Sequence, residues 1–207
     1  MNYFIADTHF YHYQLLQPNN FAPRHFGNVD EMNQAMINAW NARVDENDRV
    51  YHLGDISMRP QDTPTDEETY AMLKQLNGHM TLIKGNHDYR SLFKYLDKHN
   101  ETMADGKPRF EFEDVGALLK FDHHQFYCTH YPMLLGKVDK IINLHGHIHH
   151  YAVPIAENIN VGVDAPERDY LSENLPWGSP LRGEEIIEMY DKKKQDLAEQ
   201  MARQQGK

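Results

Sequence analysis

Through the first half of the chain, short apolar runs alternate with segments of helical period, and this alternation limits the possible folds more than any other feature. "NYFIAD" reads as a buried strand ending at Asp7. "VDEMNQAMINAWNARV" places Val29, Met32, Met36, Ile37 and Trp40 on one helical face, with Asn28 as N-cap. "DRVYHLGD" is a second strand. "TPTDEETYAMLKQLNG" is a second helix, with Thr63 as the expected cap, Pro64 in the first turn and Gly78 after the last. "HMTLIKGNHD" is a third strand and "YRSLFKYLDKH" a third helix. Repeated strand–helix–strand units imply parallel strands, and open α/β sheets place their ligands at the carboxyl ends of such strands.

The pattern then changes. "RFEFEDV", "GALLKF", "HQFYCTHYP", "KIINLHGH" and "ENINVGVD" are short alternating or apolar strands with few helical signals between them. From Ser179 to Lys207 the pattern is again helical, with Ser179 and Pro180 as its start and a final third that is polar all round. The 207 residues suit one α/β domain with a sizeable core. Cys128 is the single cysteine, which excludes an intrachain disulfide and fits a reducing compartment. Neither a signal peptide at the N-terminus nor a run of membrane-spanning length is present in the sequence, so a cytoplasmic location and no membrane partner are expected. The net charge of −10 argues against broad binding to a nucleic-acid backbone, but not against metal ions in an acidic pocket.

Five polar knots close the expected strands: "DTH" (Asp7, His9), "GD" (Asp55), "GNHD" (Asn86, His87, Asp88), "THYP" (His130) and "HGHIH" (His147, His149). Singly, each has a plain structural reading as a turn, a helix cap or a core histidine. Together they offer only oxygen and imidazole donors, which suit Mn, Fe, Zn, Co or Ni better than Ca or a structural zinc site. Asp7/His9 and His147/His149 share an i, i+2 spacing, which on an extended chain points both side chains to one side. By the same spacing His145 is not distinguished from His147 and His149. Gly146 between them is expected to permit a close backbone approach.

The order D-x-H, G-D, G-N-H-D, H, G-H-x-H resembles the calcineurin-like metallophosphoesterase family, and the match runs from Asp7 to His149. The resemblance implies a four-layer αββα sandwich of two mixed sheets flanked by helices. Residues 1–180 would form the metallophosphoesterase domain, and residues 181–207 a C-terminal helix packed on or extending from it. It implies two divalent transition-metal ions, with Mn first and Fe, Zn, Ni or Co as alternatives. Asp7, His9 and His149 would bind one ion, Asn86, His130 and His147 the other, and Asp55 would bridge them. Such pairs stand about 3.5–4 Å apart and hold a bridging hydroxide that attacks phosphorus. His87 is implied as the catalytic residue that stabilises the transition state or protonates the leaving oxygen. Asp88 would orient His9 or His87, or cap the helix that follows. His145 and His150 fall outside the implied ligand set.

The implied activity is hydrolysis of a phosphodiester, nucleotide-like or otherwise small. A phosphomonoesterase or single-strand nuclease with the same site is the alternative, and a non-catalytic metal-binding scaffold a distant one. The sequence departs from the protein-phosphatase branch at "GDISMRP", where Met58 stands in place of a second acid and Arg59 is followed by Pro60. The acidic chain, with little room beyond a core fold, argues against duplex nucleic acid as partner. His12, Arg24 and Tyr131 are candidates to contact substrate. Arg24 reads either as a bidentate phosphate clamp or as a solvated loop arginine. The oligomeric state is left open.

Overall fold

A computed structural model of the protein describes residues 1–58, 64–136 and 138–205. Four parallel strands, β1 (Asn2–Ile5), β2 (Arg49–His52), β3 (His79–Ile83) and β4 (Phe110–Glu113), form most of the first sheet. Its order is β4-β3-β2-β1-β9, where β9 (Leu181–Arg182) pairs antiparallel with β1. The second sheet runs β5-β6-β7-β8: β5 (Gly116–Phe121) and β6 (His124–Thr129) form a hairpin, while β7 (Ile141–His145) and β8 (Asn158–Asn160) continue parallel to β6. Both sheets are therefore mixed. Helices α1 (Val29–Asn41), α2 (Asp66–Leu73) and α3 (Arg90–Lys98) connect the strands of the first sheet, and α4 (Gly183–Gln205) flanks β8, β9 and β1. The α/β sandwich of two mixed sheets flanked by helices matches the expected architecture.

Strand periodicity divides the core in two. Tyr3 and Ile5 of β1, Val50 of β2 and Met80 and Leu82 of β3 face α1–α3, meeting Met32, Met36, Ile37 and Trp40. Phe4, Ala6, Leu53 and Ile83 point the other way, onto Phe126, Cys128, Ile142 and Leu144 of the second sheet and Ile186, Met189 and Tyr190 of α4. Since successive residues of a strand face opposite sides, the central strand β1, covered on both faces, is apolar on both at Tyr3, Phe4 and Ile5. Cys128 is a small buried hydrophobe in β6.

Two boundaries differ from expectation. The cap expected for α2, Thr63, lies outside the described residues, as do Arg59 and Pro60. Thr65 is the cap: its hydroxyl accepts from the Glu68 N–H while the Glu68 carboxylate accepts from the Thr65 N–H, a complete capping box in "TDEE". Pro64 thus precedes the helix. At the tail, α4 starts at Gly183, four residues after the expected start at Ser179, because Leu181 and Arg182 pair with Phe4 and Tyr3 of β1. An unpaired edge on β1 wins over local helix propensity there.

The consequence for function is geometric. The carboxyl ends of β1, β2, β3, β6 and β7 converge at one mouth of the sandwich. Parallel β6, β7 and β8 are joined by loops, and the loop after β7 carries His147 and His149.

Candidate metal centre

Asp7, His9 and His149 form one cluster, and Asp55, His130 and His147 another; within each, the potential ligand atoms all lie within 4.8 Å of one another. Asp55 stands between the clusters, with its Oδ2 3.5 Å from His9 Nε2 and 3.5 Å from His130 Nε2. Asn86 completes the second group: its Oδ1 lies 2.8 Å from His130 Nε2 and 2.7 Å from His147 Nδ1. All seven residues singled out from the motif order are thus brought together. His145 stays in β7, buried, with its Nδ1 2.9 Å from the Gly146 carbonyl.

The local backbone is not what the i, i+2 spacing suggested. Asp7 (φ 54°), His9 (φ 45°), Asp55 (φ 56°), His147 (φ 71°) and His149 (φ 48°) all adopt the left-handed conformation. These pairs converge through tight turns beyond the strand ends, not along an extended chain. A left-handed non-glycine residue costs on the order of 1 kcal/mol, so neighbouring contacts have to hold it. They do so here: the Asp7 N–H donates to the Gly54 carbonyl and the His9 N–H to the Asp55 carbonyl, each at 3.0 Å. The His147 N–H donates to both Asp7 carboxylate oxygens at 3.0 and 2.9 Å. Gly146 makes this last approach possible, since a Cβ there would lie 2.5 Å from the Ala6 Cβ and 2.6 Å from Asp7 Oδ2.

The electrostatics fit a cation. Burial, with Asp55 adding to it against the pull of His149, pushes the Asp7 carboxyl up to about 7. Burial, followed by Arg24 and the neighbouring histidines, lowers His9 well below its usual range. Both His9 ring nitrogens are buried without a hydrogen-bond partner. A buried acid resisting ionisation beside a neutral imidazole with unsatisfied nitrogens is the arrangement that a divalent ion relieves.

His87 stands at the partly open edge. Its backbone N–H donates to Asp55 Oδ1 at 2.8 Å and its ring lies 5.4 Å from that of His9. Asp88 does neither of the things expected of it. Its carboxylate accepts from the backbone N–H groups of Asp55, Ile56 and Gly85 at 2.8–2.9 Å, tying the turn after β2 to the turn after β3. The cap position of α3 is Tyr89. Burial pushes the Asp88 carboxyl up to about 6 against those three donors.

Of the substrate candidates, His12 and Tyr131 are at the site. The His12 ring lies 5.1 Å from His9, and that of Tyr131 lies 4.5 Å from His147. Arg24 is the exception, and neither of its two expected roles holds. It is 3% exposed, and its guanidinium donates to the Asp164 carboxylate and to the carbonyls of Asp7 and Thr8. Neither a solvated loop arginine nor a phosphate clamp, it props up the turn that carries Asp7 and His9. Arg24→Met should destabilise the protein by about 3 kcal/mol, because it leaves the buried Asp164 carboxylate without its guanidinium partner. Urea unfolding measures this, and a loss below 1 kcal/mol would show the pair to be dispensable.

Asp164 itself was missed. Its Oδ2 lies 3.5 Å from His149 Nδ1 and accepts from the Arg24 guanidinium at 2.8 Å. Burial alone would raise its pKa, but Arg24 and His149 hold it down at about 2. It closes "VGVD" as the other acids close their strands, but its partners Arg24 and His149 lie far from it in sequence. His52 was also left without a role. The Thr8 hydroxyl donates to the Ile56 carbonyl and lies 2.9 Å from His52 Nε2, so His52 is the donor to that oxygen. Burial depresses His52 to about 3, while the unfolded chain titrates near 6.5. Its contribution to stability is therefore complete above pH 6.5 and is lost as pH falls from there towards 3. Melting curves between pH 7 and pH 5 should fall less steeply for His52→Gln than for the unsubstituted protein; equal slopes would contradict this.

Fold and site define an α/β protein with two Asp/His clusters able to hold metal at the mouth of a two-sheet sandwich. The uncharacterized protein MJ1445 of Methanocaldococcus jannaschii is 32% identical over 141 residues, covering 64% of this chain and 74% of that one. The chain belongs to the same family as MJ1445. Gene 66 protein of Mycobacterium phage L5 is 24% identical over 230 residues, covering 90% of this chain and 92% of its own. The crystal structure of AQ665 from Aquifex aeolicus, a protein of unknown function, shares the fold, with a TM-score of 0.61 at 22% identity over 91% of this chain and 98% of that one. No family model matches. Among the described residues, no helix is long and apolar enough to cross a membrane.

Proposed function

We propose that the protein is a two-metal phosphoesterase of the calcineurin-like metallophosphoesterase family, acting on a small phosphodiester. The observation that carries this is the carboxylate of Asp55, placed 3.5 Å from an imidazole nitrogen of each cluster. Asp7, His9 and His149 would hold one ion and Asn86, His130 and His147 the other, with Asp55 shared. Manganese is the first choice for a carboxylate–imidazole–amide donor set without thiolate, followed by Fe, Zn, Ni or Co. Two such ions supply Lewis acidity towards phosphoryl oxygens and acidify water near neutral pH.

The chain's own residues do the rest. Asp164 lies against His149, and Arg24 fixes Asp164. Asp88 locks the Asp55 turn to the Asn86 turn, so ligands of both clusters keep their spacing. His87, anchored through its backbone to Asp55, would deliver a proton to the departing ester oxygen. A diester carries one negative charge at neutral pH and a monoester nearly two. The net charge of −10 favours the former.

The test is turnover of bis-p-nitrophenyl phosphate and p-nitrophenyl phosphate by Mn²⁺-loaded protein. The diester should turn over faster, and chelation should abolish the activity. Turnover of the monoester alone refutes the diester preference, and turnover of neither refutes the phosphoesterase reading.

A further inference from the structure

Two exposed aromatic rings flank the metal centre. Phe21, 41% exposed, packs edge-to-face on His149 with ring centroids 5.3 Å apart. Tyr131, 51% exposed, lies 4.5 Å from the His147 ring and 5.1 Å from that of His130. Each ring therefore leans on histidines of a different cluster while keeping surface open to solvent. Neither is a loose surface residue. The Phe21 carbonyl accepts from the His150 N–H at 2.9 Å, and the Tyr131 carbonyl accepts from the Thr129 hydroxyl at 2.7 Å. Exposed aromatic rings packed on the histidines at the rim of a polar site offer open faces to flat ligand groups.

We infer that Phe21 and Tyr131 are stacking platforms that select a small diester bearing nucleobases, a dinucleotide or nucleotide conjugate. The inference rests on the phosphoesterase reading for the phosphoryl position. A phosphoryl group held at the centre has substituents that extend beyond it, and Phe21 on the His149 side and Tyr131 on the His147 side are rings they can meet. Bases stack on aromatic side chains whatever their sequence, so two rings suffice for affinity without hydrogen-bond readout. The chain's net charge of −10 disfavours a polynucleotide, whose further phosphates need a basic track that this acidic protein lacks in bulk.

The experiment measures binding apart from turnover. Metal-loaded His87→Ala protein is titrated by calorimetry with the dinucleoside monophosphate TpT, with baseless glycerophosphoglycerol and with a single-stranded thymidine oligonucleotide. TpT should bind at least about tenfold more tightly than the baseless diester. Phe21→Leu and Tyr131→Leu, each added to that background, should cut this preference severalfold, and Trp at either position should restore it. Equal affinity for TpT and glycerophosphoglycerol, or a preference that the leucine variants leave intact, overturns the inference. An oligonucleotide that binds more tightly than TpT overturns its restriction to small diesters. In parallel, unsubstituted protein is assayed for turnover of TpT. Preference with no turnover of TpT or of either nitrophenyl ester refutes the phosphoesterase reading and leaves the platforms standing; turnover without preference refutes the platforms alone.

Discussion

In Asp55→Asn protein, metal content should fall at both positions together and phosphoesterase turnover should drop by roughly 10³-fold. The amide keeps the shape of the carboxylate but removes the charge that Asp55 places 3.5 Å from an imidazole nitrogen of each cluster. A ligand serving one ion only would lower the metal content by half and spare the other. Elemental analysis after gel filtration distinguishes the two results, and loss of a single equivalent would refute the shared role. The fold should survive, because Asn retains the Oδ1 acceptor for the His87 N–H.

The second large effect is expected at His87. His87→Ala should lower turnover of the diester by about 10²–10⁴-fold while both ions remain bound, the range for removing a positioned proton donor. The substitution leaves the backbone N–H that anchors the turn to Asp55, and metal analysis of the variant separates loss of the proton donor from loss of an ion. The loss should be smallest for a leaving group that departs without a proton. Turnover of bis-p-nitrophenyl phosphate, which releases a stable phenolate, should therefore fall less than that of an alkyl diester. Unchanged turnover of both would remove His87 from the mechanism.

Much of the centre was legible because each ligand belongs to a short motif closing an apolar run. Asp7 follows "NYFIA", Asp55 follows "VYHLG" and His130 follows "FYCT", and parallel strands deliver such ends to one rim. The reason given for the pairs was wrong in its geometry: Asp7, His9, His147 and His149 converge through left-handed turns, which depend on contacts from other strands. Arg24 was misjudged because a Pro-containing loop looks solvated in sequence. In the fold it lies buried against Asp164, a residue 140 positions away. Asp88 sits between a histidine and a helix in sequence, but its three partners are backbone N–H groups of two separate turns.

From the sequence alone came the alternation that yields parallel strands, the two-sheet class through the motif resemblance, and the identity of the residues gathered at the rim. These depend on periodicity and residue type, which are local properties. The tertiary structure alone decided that Leu181 and Arg182 complete a sheet, that Asp164 and Arg24 brace one of the clusters, that Asp88 ties two of the ligand-bearing turns together, and that Phe21 packs on His149. Each of those rests on burial or on contacts between distant segments, and the energy of such contacts is set by what surrounds a side chain and not by its neighbours along the chain.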